Sequence, residues 1–177
     1  MTFFEENKQL YLNNKKIFDG ILNLKNEQYL IEYLGEAETK ILKVVFKTFV
    51  ERLKNHKKGI FYPRSILTTE AIKKQTGLSY YRQRNAIENL ELKFNIINYI
   101  YDYISYSLNP CRAFAINFEC IENFYYHFLT FKGIFVQLKK YSKNQLINIV
   151  IDYENRLSYC SNSIVAEDEL ICVDEED

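Results

Sequence analysis

Catalysis or metal binding in this chain would have to come from two histidines, four cysteines and a scatter of carboxylates. His56 follows a lysine-rich stretch and is expected at the surface. His127 sits in Phe124-Tyr125-Tyr126-His127-Phe128 and is expected to be packed rather than catalytic. Cys111, Cys120, Cys160 and Cys172 form no CxxC, and no histidine stands at ligand spacing from any of them, so zinc is not expected. They read as reduced thiols of a cytoplasmic protein, because the start Met1-Thr2-Phe3-Phe4-Glu5-Glu6 lacks the basic and apolar parts of a signal peptide. No phosphate-binding loop, GxSxG, HExxH or paired-carboxylate spacing occurs. The expectation is a protein that is not an enzyme and uses no cofactor and no metal.

What remains is charge and surface. The net charge is zero, with 23 basic and 23 acidic side chains, but the signs are segregated. Residues 41–98 carry 12 basic and 4 acidic groups, a net of +8, whereas residues 164–177 carry 7 acids and no base. A basic middle with an acidic tail suggests a segment that meets a polyanion with its own competitor attached; the alternative is a solvated helix face and a frayed acidic terminus. Hydrophobic residues make up 47%, which supports a buried core and excludes global disorder. No apolar run approaches membrane-spanning length, so no membrane partner is expected.

The elements that position these charges follow from periodicity. Residues 1–35 form an extension with turn signals at Asn13-Asn14 and Asp19-Gly20. Between Glu36 and Lys58, the positions Ile41, Leu42, Val45, Phe46, Phe49, Val50 and Leu53 predict a helix that Gly59 stops. Phe61-Tyr62-Pro63-Arg64 reads as extended. A short helix capped by Thr68 or Thr69 turns Ile72 inward and Lys73 and Lys74 outward. In Thr76-Gly77-Leu78-Ser79, Gly77 supplies a positive φ, Leu78 plugs the core and Ser79 caps the next helix. That helix is expected from Tyr80 to Phe94, with Gln83, Ile87, Leu90 and Phe94 on one face. Gln83 on that apolar side must find a hydrogen-bond partner. Residues 96–104 and 112–116, split by Asn109-Pro110, predict a hairpin. A helix from Glu119 to about Phe131 is expected to end at Gly133, and Ser142 to Gln145 has capping-box spacing for a last helix through Leu157. Residues 159–177 read as an acidic, disordered tail.

The order helix, short helix, glycine turn, helix, hairpin resembles a winged helix-turn-helix. It is carried by Thr69-Glu70-Ala71-Ile72-Lys73-Lys74-Gln75-Thr76-Gly77-Leu78-Ser79, by Arg82-Gln83-Arg84-Asn85-Ala86-Ile87-Glu88-Asn89-Leu90-Glu91, and by Ile96-Ile97. The pattern is similar to that of replication-initiator and replisome-organiser proteins of phages and plasmids in Gram-positive bacteria, and Arg112 to Glu119 is similar to their returning wing strand. The resemblance implies a mostly helical α+β fold, with a winged domain over 36–124, an N-terminal extension over 1–35 and a C-terminal helical extension over 125–158. Two departures stand out. Asn95 replaces the usual glycine after the third helix, one residue late, and Asn tolerates the left-handed conformation. The hairpin from Tyr99 to Leu108 carries Asp102 and no base.

The resemblance implies a sequence-specific protein of double-stranded DNA, acting in replication initiation or transcription regulation. The third helix, from Tyr80 to Phe94, would enter the major groove. Arg82 suits guanine or a phosphate, Asn85 and Asn89 suit adenine, and Tyr81 suits a phosphate. Arg84 lies between faces. Lys73, Lys74, Lys57, Lys58 and Arg64 would make sequence-neutral phosphate contacts. A homodimer is the usual arrangement of such readers. The alternative is a mobile-element protein that grips and inhibits a host protein, favoured by the base-free hairpin, the aromatic surplus and the acidic tail.

Overall fold

The structure is a computed structural model that describes residues 2–55, 65–102, 111–152 and 154. It is α+β and mostly helical, with one three-stranded antiparallel sheet. Three short helices open the chain: α1 (Phe3–Asn13), α2 (Lys15–Leu22) and, after a 3₁₀ turn at Leu24–Asn26, α3 (Glu27–Leu34). Asn14 separates the first two, as its turn signal implies. Asp19-Gly20 makes no turn, because both residues lie inside α2. Ile17, Phe18 and Ile21 of that helix are buried, and their packing outweighs the local preference. The N-terminal segment is therefore part of the core. The Phe18 ring lies 4.7 Å from that of Phe46 and 5.8 Å from that of Phe49.

Both of those partners belong to α4 (Glu36–Lys54), which contributes the most buried residues of any described helix to this core. Of the expected stripe, Ile41, Leu42, Val45, Phe46 and Phe49 are buried and Val50 and Leu53 half-buried, while Thr39 and Val44 are buried as well. The described helix runs to Lys54 with Asn55 as its C-cap, whose amide donates to the Glu51 carbonyl, and the expected end at Lys58 lies outside the described residues. Lys57, Lys58, Gly59 and the extended piece 61–64 lie outside the described residues. Strand β1 (Ser65–Thr68) was not foreseen as part of a sheet. It pairs with β3 (Cys111–Ile116), which in turn pairs with β2 (Ile97–Asp102), giving the order β1-β3-β2. The Ser65 hydroxyl donates to the buried Val45 carbonyl at 3.1 Å, which ties this sheet edge to α4.

Between β1 and β2 lie α5 (Thr69–Thr76) and α6 (Tyr80–Glu88). The α-helical hydrogen bonding of α6 ends at Glu88, short of the expected Phe94. A π-helical turn over Asn89–Lys93 follows, with the Phe94 amide donating to the Asn89 carbonyl. A π turn absorbs one additional residue in a helix. It thus accommodates the residue by which Asn95 comes late. Asn95 has φ +51°, so it fills the left-handed position expected of it.

The sheet leads into α7 (Phe118–Leu138), whose Ile121, Phe124 and Phe128 complete the core. Gly133 does not end this helix. An interior glycine costs only about 1 kcal/mol, and here it has no positive φ that would break the backbone run. His127, expected to be packed, is exposed, with its ring edge-on to Tyr126. Residues 1–131 form one compact unit and the remainder a second. The second holds a helix over 143–152, opened by the expected capping box: the Gln145 amide donates to the Ser142 hydroxyl, and the Ser142 amide to the Gln145 side-chain oxygen. Apart from Glu154, the expected continuation to Leu157 and the acidic tail lie outside the described residues. Among the described residues, no helix is long and apolar enough to cross a membrane.

The junction of α3 and α4 tests this architecture. Gly35 has φ +110° and ψ 157°, a region open almost only to glycine, and the Glu38 carboxylate occupies the place a methyl group would take. Gly35→Ala is expected to lower stability by about 1–3 kcal/mol in urea unfolding. An unchanged midpoint would contradict this junction.

Candidate nucleic-acid interface

The turn between α5 and α6 sets the direction of everything on its surface. Gly77 has φ +72°, and its amide donates to the Lys73 carbonyl, closing α5. Leu78 is 1% exposed and enters the core. The Thr76 hydroxyl donates to the Ile72 carbonyl at 2.7 Å and accepts the Leu78 amide at 3.2 Å. The Ser79 hydroxyl accepts the Arg82 amide and starts α6. All three roles expected of Gly77, Leu78 and Ser79 are met.

Seen down its axis, α6 has an inner face and three outer sectors. Gln83, Ala86, Ile87 and Leu90 are buried. Tyr81, Asn85 and Glu88 form the fully outward sector, and Tyr81 is 71% exposed. Arg82 and Asn89 flank it on the side of α4. The Arg82 guanidinium lies 3.6 Å from a Glu36 oxygen, and the Asn89 side chain donates to a Glu38 oxygen at 2.7 Å. Neither contact was foreseen. Both groups are thus engaged by the acidic first turn of α4 and are not bare donors. Glu36 also accepts from Lys40 at 2.6 Å. The Lys40 ammonium, and to a lesser degree Arg82, hold the Glu36 carboxyl below its ordinary value.

Arg84 occupies the opposite flank, beside the sheet. Lys73 and Lys74 are exposed on the last turn of α5, on the same surface unit as the turn. The structure therefore brings Lys73, Lys74, Tyr81, Arg82, Arg84, Asn85 and Asn89 onto the exterior of the α5–α6 pair. Lys57, Lys58 and Arg64 lie outside the described residues, as does the hairpin loop 103–110.

One group escaped the sequence reasoning. Arg112, on β3, is 2% exposed. Its Nη1 donates to the Gln83 side-chain oxygen at 3.3 Å, and its guanidinium lies 5.0 Å from the Tyr80 ring centroid. Its Nε has no partner. The Gln83 amide nitrogen donates in turn to the Leu78 carbonyl at 2.9 Å and the Thr69 carbonyl at 3.3 Å. That answers the demand for a partner raised by a buried glutamine. A signal for Arg112 was present: in Cys-Arg-Ala-Phe-Ala-Ile, strand alternation puts it on the face of Phe114 and Ile116, where a charge is exceptional.

Between α6 and the sheet, Arg112 opens onto a cavity of about 400 Å³, shared with Tyr80, Arg84, Glu88, Glu91 and Tyr99. Glu91 accepts the Tyr99 amide at 2.8 Å. Burial raises the Tyr99 phenol above its ordinary value. Among the described residues, no group of three or more His, Cys, Asp or Glu side chains is placed to hold a metal ion. Cys120 is a free thiol that accepts a hydrogen bond from Asn95. No family model, curated protein or solved structure matches the chain.

The Gln83 network has a measurable consequence. Gln83→Leu leaves the Arg112 guanidinium without its hydrogen-bond acceptor among the described residues and should cost about 1–3 kcal/mol of stability. Adding Arg112→Met should recover part of that loss, because the orphaned charge disappears. Strictly additive losses in thermal unfolding would show that the two side chains are not coupled.

Proposed function

We propose that this protein binds double-stranded DNA as a winged helix-turn-helix, with α6 as the recognition helix and the β2–β3 hairpin as its wing. The carrying observation is the α5–α6 pair itself: a short helix closed by left-handed Gly77, the Leu78 plug, the Ser79 cap, and a second helix whose outward sector is polar and exposed. A helix held this way projects its first turns into a major groove. Asn85 and Arg82 would read base edges, Tyr81 and the start of α6 would take a phosphate, and Lys73 and Lys74 would grip the backbone. Glu36 and Glu38 would compete with DNA for Arg82 and Asn89, so binding exchanges internal contacts for phosphate or base contacts. Replication initiation or transcription regulation in a phage or plasmid is the biological role that the resemblance supports.

A second reading has its own observation. In the unit from Lys132 onward, Ile134, Leu138, Ile147, Val150 and Ile151 are substantially exposed. Apolar exposure of this kind serves contact with a second copy or with another protein, such as a host factor that the element inhibits. A pull-down from nuclease-treated bacterial lysate separates the proposals. Retained partners favour the protein-binding function, and loss of every partner favours DNA.

Fluorescence anisotropy with duplex DNA tests the leading proposal, and binding should appear at about 50 mM salt. Asn85→Ala should lose about 1–3 kcal/mol on the preferred sequence and little on random duplex. Lys73→Ala should weaken both equally and lower the salt slope by about one unit. Glu36→Gln, which releases Arg82, should tighten binding to every sequence. Absence of binding at low salt, or indifference to all three changes, would overturn the DNA proposal.

A further inference from the structure

The cavity between α6 and the sheet holds a combination that the fold does not need. A buried cation normally has a carboxylate or several acceptors around it. Arg112 has one acceptor at 3.3 Å, an aromatic face and an unpartnered Nε, and no carboxylate among the described residues forms an ion pair with it. Replacing it by a hydrophobe would fill the strand position at lower cost. Arg84 brings a second cation to the same cavity. Glu88 and Glu91 bring acceptors, and Tyr80 and Tyr99 bring flat ring surfaces. The lining therefore offers cations to an anionic group, acceptors to an amino or hydroxyl group, and rings to a planar one. A bare anion would use only the first of these and would be repelled by the two carboxylates.

We propose that this cavity binds a ring-bearing organic phosphate of mononucleotide size, with the phosphate on Arg112 and Arg84. The ring lies along Tyr80 and Tyr99, and Glu88 and Glu91 accept from its amino or hydroxyl groups. Guanidinium donors match phosphate oxygens in pairs, which a lysine cannot reproduce. The volume of about 400 Å³ falls within the range of small-molecule sites. The site lies on the sheet-side flank of α6; it shares Glu88 with the outward sector and Arg84 with the candidate DNA surface, but it does not depend on the DNA proposal. The same chemistry could come from a free nucleotide or from a nucleotide unit of a DNA strand.

The test is a titration of the full-length, ¹⁵N-labelled protein with AMP, with adenosine and with inorganic phosphate at fixed ionic strength, followed at the arginine Nε–H resonances. AMP is expected to shift the Arg112 Nε–H and to bind about ten-fold tighter than adenosine or phosphate alone. Arg112→Lys should weaken AMP by about ten-fold or more. Should that variant fail to fold, Tyr80→Ala and Arg84→Gln, both on the exposed rim, carry the test: each should weaken AMP, and Arg84→Gln should do so while leaving the melting temperature unchanged. A short DNA duplex added to the AMP complex then assigns the source. Displacement of AMP assigns the phosphate to a DNA strand and coexistence assigns it to a free ligand, and both uphold the site. The proposal is overturned if AMP binds no better than phosphate, if the Arg112 resonance does not move by about 10 mM AMP, or if the folded variants bind AMP like the parent chain.

Discussion

The buried amide of Gln83 is the contact on which the rest of the surface depends. One side chain, fully removed from water, joins the start of α5, the turn at Leu78, the body of α6 and strand β3 through Arg112. An amide in that position has both donor and acceptor duties, and leaving either unmet would cost a desolvated polar group. The rotation of α6 about its own axis is consequently fixed. A change of one residue in that rotation would bring Gln83 out and an outward polar group in. The presentation of Tyr81, Arg82, Asn85 and Asn89 to solvent is the far side of the same constraint.

Charge then refines what the geometry allows. The first turn of α4 places Glu36 and Glu38 against Arg82 and Asn89, as a helix N-terminus favours acids. These surface contacts are individually weak and screened by salt. They orient the two side chains without committing them, which suits groups that would exchange partners on binding a polyanion. The basic side chains of α5 face the same exterior without an acidic neighbour of comparable closeness among the described ion pairs. The surface is thus graded, with bound cation and amide near α4 and freer cations at the end of α5.

Local chemistry made much of this legible before any coordinates. Gly77, Leu78 and Ser79 have roles dictated by φ, burial and capping within four residues, and Asn95 announces a left-handed turn by its type and place. The buried stripe of α4 follows directly from its period. What stayed hidden depends on distant partners or on competition between levels. β1 is only Ser65–Thr68, and its strand character comes from pairing with β3, more than forty residues on. Arg82 and Glu36 are also distant in sequence, so no spacing rule joins them. The helical Asp19-Gly20 shows tertiary packing overriding local preference, and the π turn at Asn89–Lys93 has no signature in the apolar period. Arg112 carried a readable flag, a charge on an inward strand position, but its cavity exists only once α6 and the sheet are assembled.

The central claim is that the exterior of α5 and α6 meets DNA. Amide chemical-shift mapping of the ¹⁵N-labelled protein with a random-sequence duplex at low salt addresses it directly, because it needs neither a known operator nor a variant. The account predicts that the largest shifts fall on Lys73, Lys74 and Tyr81 through Asn89, with Glu36 and Glu38 following as their contacts exchange. Saturating DNA that leaves these amides unmoved, or shifts confined to residues 132–152, would contradict it.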